Sequence, residues 1–142
     1  MNNQHNFSLL PIRDGNKFLL YYDEDWHCWL FINFYHPPTD KMVKENLSKI
    51  LQVTTDDIKL DYVLGFMRPK ISERDGIRKN YCYHVYRTRV LSMTAENKQP
   101  FTINNKIFQW MTIEELKNDT ISANKNADVI KLVEQLYEGG QL

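Results

Sequence analysis

Cysteine is scarce: Cys28 and Cys82 are the only two among 142 residues, and no secretory leader precedes them. A disulfide framework is therefore not expected, and reduced thiols in a cytoplasmic compartment are. His5, His27, His36 and His84 lack ligand-like spacing and no Cys/His cluster exists, which argues against a zinc site. Glycine is absent between Gly15 and Gly65, and the sequence contains neither a Gly-rich phosphate loop nor a Gly-x-Ser-x-Gly elbow. No apolar run approaches the ~18 residues of a membrane span, so a soluble chain is expected. Net charge is missing as well. Lys plus Arg and Asp plus Glu both number 18, so no overall field draws the protein to polymeric nucleic acid or an acidic membrane, and contact with a charged ligand requires a local cluster.

The chain is 42% hydrophobic, enough to fill the core of one domain spanning 1–142, with a polar and flexible stretch at 1–6. Phe7 to Ile12 and Lys17 to Tyr22 read as strands joined through the turn Arg13-Asp14-Gly15-Asn16. Asp23-Glu24-Asp25 then reads as a solvated connection. Trp29 to Phe34 is an aromatic and β-branched run stopped by Pro37-Pro38. Thr39 is placed to cap a helix over Asp40 to Gln52, with Val43, Leu47, Ile50 and Leu51 on one stripe and Lys41, Lys44, Glu45, Ser48 and Lys49 opposite.

Further on, Ile58 to Met67 alternates as a strand with Ile58, Leu60, Tyr62, Leu64 and Phe66 on one face, and Arg68 to Asn80 reads as a long basic loop. Tyr81 to Ser92 is dense in aromatic and β-branched residues and is expected as a strand. A hairpin around Asn104-Asn105 follows. Thr112 with Glu115 forms a capping box, and Val129, Ile130, Val133, Leu136 and Tyr137 stripe a last helix from about Asn124 to a stop at Gly139.

A hairpin, a tryptophan strand, a proline loop and a helix ending in Leu51-Gln52-Val53 resembles the beginning of a nudix chain. Trp29 then stands at the usual tryptophan, and Trp110 to Leu116 resembles the family's closing tryptophan, capped turn and helix. The resemblance implies a nudix-like α/β/α sandwich with a mixed sheet. The family places an Arg-Glu pair and two adjacent glutamates on its central helix, since a divalent ion on a diphosphate needs several hard oxygens on one face. In this register those positions hold Glu45-Asn46 and Lys49-Ile50, and Gln52 replaces the glycine. Glu45 alone does not make a metal site, and Glu114 and Glu115 are accounted for by capping and the helix dipole. No catalytic residue, metal ligand or cofactor is assigned. A hydrolase with a relocated metal site stays open, with Asp56-Asp57, Asp23-Glu24-Asp25 and Glu114-Glu115 as its candidate carboxylates.

Leu10 to Gly15, Leu19 to Tyr22 and Cys28-Trp29 through Asn33 further resemble nudix-like domains associated with bacterial cyclic-oligonucleotide antiphage signalling. That branch commonly sits behind two transmembrane helices, which implies that this chain is either a stand-alone relative or the soluble part of a membrane-anchored effector. The implied partner is a nucleotide second messenger, with self-association left open. Its candidate contacts are Trp29, Asn33 and Tyr35, then Arg68 and Lys70, then Tyr83, His84, Tyr86, Arg87 and Arg89. Aromatic planes stack on bases and guanidinium groups hold phosphates, so this mixture suits a nucleotide without requiring a metal. For each residue alone, core aromatics and solvated bases explain it equally well. A protein-interaction domain is a further alternative, and a Cys-His nucleophile built from Cys28 or Cys82 with His27 or His84 is less expected than buried structural thiols.

Overall fold

The structure, a computed structural model, describes residues 4–71, 76–96 and 99–142. Its first strands are β1 (Gln4–Leu10), the two-residue β2 (Arg13–Asp14), β3 (Lys17–Asp23) and β4 (Cys28–Tyr35). Gly15 turns β2 into β3 with φ +62, a left-handed conformation in which a Cβ is disfavoured. Helix α1 (Asp40–Leu51) starts as its cap predicts: the Thr39 side chain accepts from the Met42 backbone N–H at 3.2 Å. It ends at Gln52, which takes φ 56 and donates its backbone N–H to the Ser48 carbonyl. The residue at the family's glycine position is therefore in the left-handed conformation that explains a glycine there.

A short 3-10 turn over Thr55–Asp57 leads into the long hairpin of β5 (Ile58–Ile71) and β6 (Arg78–Val90). β7 (Phe101–Ile103) and β8 (Lys106–Thr112) follow, joined by Asn104 and Asn105 at φ 50 and 66, the paired positive angles that a tight hairpin demands. The last helices are α2 (Ile113–Asn118), α3 (Thr120–Lys125) and α4 (Ala127–Glu138). Thr112 and Glu115 make the expected capping box at α2.

The strands form one eight-stranded sheet in the order β5-β6-β1-β4-β3-β8-β7, with β2 beside β3. β1 runs parallel to β6 and antiparallel to β4, so the sheet is mixed. α1 packs Val43, Leu47 and Leu51 with Leu10, Leu19, Ile32, Ile58 and Tyr86 in one core. α2 and α4 pack Leu116, Val129, Val133 and Leu136 with Leu9, Phe18, Leu20, Phe31 and Val85 in another. Helices thus cover both faces, giving the nudix-like α/β/α sandwich.

Four expectations change. The polar beginning is ordered from Gln4, because Gln4 to Asn6 pair with Asn80 to Cys82; residues 1–3 lie outside the described part. The basic segment Arg68 to Asn80 is largely strand: β5 and β6 pair from Ile58↔Val90 to Ile71↔Arg78. Ladder bonds use the backbone and tolerate polar side chains, so composition misread this segment. Residues 72–75, including Arg74, lie outside the description. A bulge between Tyr62 and Leu64 also breaks the alternation of β5. Ile58 and Leu60 therefore join the α1 core, whereas Leu64 and Phe66 pack on the opposite one. Finally, the last helix divides at Asn126. Asp119 begins α3 by accepting from both the Ser122 backbone N–H at 3.0 Å and its hydroxyl at 2.9 Å.

Candidate functional site

A cleft of about 1250 Å³ opens on the face that carries α3 and α4. Its floor follows from strand pairing. Phe7 of β1 is opposite Tyr35 of β4 and opposite Tyr83 of β6, and His5 is opposite Tyr81. The rings stack: Phe7 lies 5.0 Å from Tyr35, 6.2 Å from Tyr81 and 6.0 Å from Tyr83, with interplanar angles of 22°, 28° and 29°. His5 extends the row by stacking on Tyr81 at 5.6 Å. Tyr35 at the outer end is 72% exposed, so the shelf is open to solvent there.

Beside the shelf stands Arg68, opposite Tyr81 in the β5–β6 ladder. Its Nε lies 2.8 Å from the Asp128 carboxylate at the start of α4, with both side chains about half exposed. No hydrogen bond among the described residues takes up the remaining guanidinium donors. Lys125 also lines the cleft. Asn33 projects from β4 into the same space; its Nδ2 donates to the Phe31 carbonyl at 2.9 Å and to the Tyr21 hydroxyl at 3.3 Å. Burial in the first place, and Asp23 after it, push the Tyr21 hydroxyl pKa up to about 12, so it remains protonated at neutral pH.

Of the residues singled out from sequence, the cleft gathers Asn33, Tyr35, Arg68 and Tyr83. Trp29 is instead a packing residue, half-buried against the α2–α4 core, edge-on to Tyr22, with its backbone N–H donating to Ser122 Oγ at 2.8 Å. Lys70 pairs with Lys79 through the backbone ladder, and its side chain lies outside the description. Arg87 and Arg89 stand apart from the cleft. Arg87 is exposed and pairs with Asp61 at 2.8 Å, while Arg89 donates to the Arg13 carbonyl at 3.2 Å. Burial, then Arg13 and Arg87, lower the Arg89 pKa. The physical reason for the separation is Val85, fully buried between Tyr83 and Arg87 on the same side of β6. The shared parity of Tyr83, Arg87 and Arg89 is interrupted by core.

His84 and Tyr86 lie on the α1 side, where they join a second polar group. The Tyr86 hydroxyl donates to Asp40 Oδ1 at 2.7 Å, and His84 stacks on His36 at 4.0 Å. Ser8 Oγ is 2.8 Å from His36 Nδ1, and His84 touches Tyr62 at 3.1 Å and Asn6 at 3.3 Å. Burial, followed by His84, lowers the His36 pKa against the opposing effect of Asp40. These groups satisfy one another. Cys82 Sγ comes within 3.8 Å of His84 Nε2, and both cysteines are free and buried. Burial raises the Cys28 pKa, the opposite of activation.

The donor set on α1 does not fit a divalent ion. Glu45 and Lys49 are exposed, and Ile50 packs toward the α1 core. Among the described residues, no three His, Cys, Asp or Glu side chains gather as a metal-holding group. Nor is any described helix long and apolar enough to cross a membrane.

Sequence reasoning did not select Phe7, His5, Tyr81 or Tyr21. The signal for Tyr81 was its parity with Tyr83; for Phe7 and His5 there was none, because their role arises from the parallel pairing of β1 with β6.

No family model and no curated protein matches the chain. Solved structures do. An Ap4A hydrolase from C. elegans is 15% identical with a TM-score of 0.59, covering 94% of this chain and 96% of its own. A nudix hydrolase from Nitrosomonas europaea is 13% identical with a TM-score of 0.60, covering 96% and 90%. The chain therefore has the nudix hydrolase-like fold across nearly its full length.

Proposed function

We propose that the chain is a nudix-like domain that binds a nucleotide-derived signal in the α3–α4 cleft without hydrolysing it. The observation that carries this reading is the stacked row Tyr35-Phe7-Tyr81-His5 with Arg68 beside it. A base stacks on aromatic faces whatever its identity, and a guanidinium already oriented by a carboxylate offers its remaining donors to a phosphate. The volume, about 1250 Å³, exceeds the roughly 300–1,000 Å³ of drug-sized sites. It accommodates more than one nucleotide, which supports a cyclic oligonucleotide of the kind used in bacterial antiphage signalling.

The likeness to hydrolases favours a second reading, metal-dependent turnover. Against it, cationic Lys49 and apolar Ile50 occupy the positions of the paired glutamates. Thermal-shift and calorimetric titration with cyclic di- and trinucleotides tests the proposal, because ligand binding to the folded state raises stability by about 2.7 kcal/mol at a hundredfold excess over Kd. Binding with no product released in Mg²⁺ or Mn²⁺ is expected. Turnover that is lost in Glu45→Gln would establish the second reading, and absence of binding to any of these ligands would remove the first.

A further inference from the structure

We infer that Tyr21 and Asn33 read the edge of the ligand's base, and that the base is adenine; this rests on the nucleotide reading of the cleft. Asn33 Nδ2 faces the Phe31 carbonyl at 2.9 Å. The opposite amide orientation would set oxygen against oxygen, so the assignment of nitrogen and oxygen is chemically determined. The second Nδ2 proton goes to the Tyr21 hydroxyl at 3.3 Å. Both donors of the amide are thus spent, and Asn33 has only its Oδ1 acceptor to offer. Tyr21 accepts from Asn33, and its own proton has no partner among the described residues. With its pKa pushed up to about 12, the hydroxyl stays a donor.

Both residues line the cleft: the Tyr21 ring packs beside Phe108 at the α1-side core, and its hydroxyl reaches Asn33, so one donor and one acceptor meet there. Neither has a partner among the described residues, and a partly buried polar group without a partner favours a ligand that supplies one. The complement is a ring with an acceptor next to a donor. Adenine shows that couple on both edges, N1 with the 6-amino group and N7 with the same amino group, whereas guanine shows it on one edge only, O6 with N1–H, and offers two acceptors at N7 and O6 on the other. A stacking shelf does not by itself orient a base within its plane. Adenine alone among the purines satisfies the pair whichever edge is presented.

The test is calorimetry of the whole chain with adenosine 5′-monophosphate and with purine riboside 5′-monophosphate, which lacks the amino group but stacks and carries the same phosphate. The wild type is expected to prefer the adenine nucleotide about tenfold, the ratio for one hydrogen bond of ordinary strength. Asn33→Leu should reduce the preference to near one, and Tyr21→Phe should weaken both ligands, since both retain the ring acceptors. Thermal melts check that each variant folds, and the comparison of two ligands on the wild type needs no variant at all. Equal affinity of the wild type for the two ligands would overturn the inference. A preference that persists in Asn33→Leu, or guanosine 5′-monophosphate binding as tightly as the adenine nucleotide, would do the same. If nucleotides bind and Arg68→Ala weakens them without any amino-group preference, the cleft reading survives and the edge assignment falls; if no nucleotide binds, both fall.

Discussion

The two faces of the sheet receive the same alternating pattern of apolar residues but finish it differently. On the α1 side, the helix seals Leu10, Leu19, Ile32 and Tyr86, and the polar groups at its margin pair among themselves: Tyr86 with Asp40, His36 with Ser8 and His84. On the other side, α2 and α4 seal Leu9, Phe31 and Val85, while the rings beyond them, Phe7, Tyr81 and Tyr35, continue the row into an open cleft. An apolar row becomes core where a helix covers it and a shelf where none does. The open aromatic row therefore belongs to one face, and α1, the helix to which the nudix resemblance assigns the metal-binding positions, belongs to the other core.

The largest expected effect concerns what the two faces share. Val133 and Leu47 are each fully buried in their respective cores. A charge at either site has no partner, so Val133→Asp or Leu47→Asp should cost at least about 4 kcal/mol and unfold the protein. A chemical denaturation midpoint close to wild type in either variant would show that the affected helix is not core.

Affinity should separate the faces. Arg68→Ala is expected to weaken nucleotide binding by about 1.5–3 kcal/mol, the range for a hydrogen bond to a charged group. The melting temperature should hardly move, because a half-exposed ion pair contributes only about 0.2–1 kcal/mol. The double variant Arg87→Ala, Arg89→Ala should leave affinity unchanged within about 0.5 kcal/mol, since neither side chain reaches the cleft. Calorimetry giving the reverse ranking would move the site to the other end of β6.

A smaller effect distinguishes the α1 side through pH. His36 is held below its ordinary 6.5 by burial first and by the neighbouring His84 second, with Asp40 opposing. The unfolded chain thus takes up the proton more readily than the folded one. Stability from this group is complete above pH 6.5 and is lost as pH falls from there through the lowered folded value. Denaturation midpoints should decline over that window in wild type and flatten in His36→Asn, whereas binding at the cleft should keep its affinity. An unchanged pH slope in the variant would remove His36 from the account.

The smallest effect sharpens the alignment itself. Gln52 adopts φ 56 at the end of α1, a conformation that disfavours a Cβ. Gln52→Gly should stabilise the chain by about 0.5 kcal/mol despite losing the exposed side-chain bond to Asn104. A clear loss of stability on denaturant titration would show that the Asn104 contact outweighs the backbone strain.

Local chemistry in the sequence was sufficient for the caps at Thr39 and Thr112, the Asn104-Asn105 turn and the buried stripes of α1 and α4, because each depends on residues within a turn or two of one another; the layered fold class was implied by the resemblance of the element order to a nudix chain. The cleft depends on register. Only the tertiary structure paired β1 with β6, which set Phe7 and His5 against Tyr83 and Tyr81, and only the bulge at Tyr62/Leu64 decided which half of β5 faced which core. Arg68, Arg87 and Arg89 look equivalent as basic residues on adjoining segments, yet buried Val85 parts the last two from the first. Pairing partners many residues away, and one inserted residue that reverses a strand's facing, leave no mark on local composition, so the membership of the site was decided by the folded sheet.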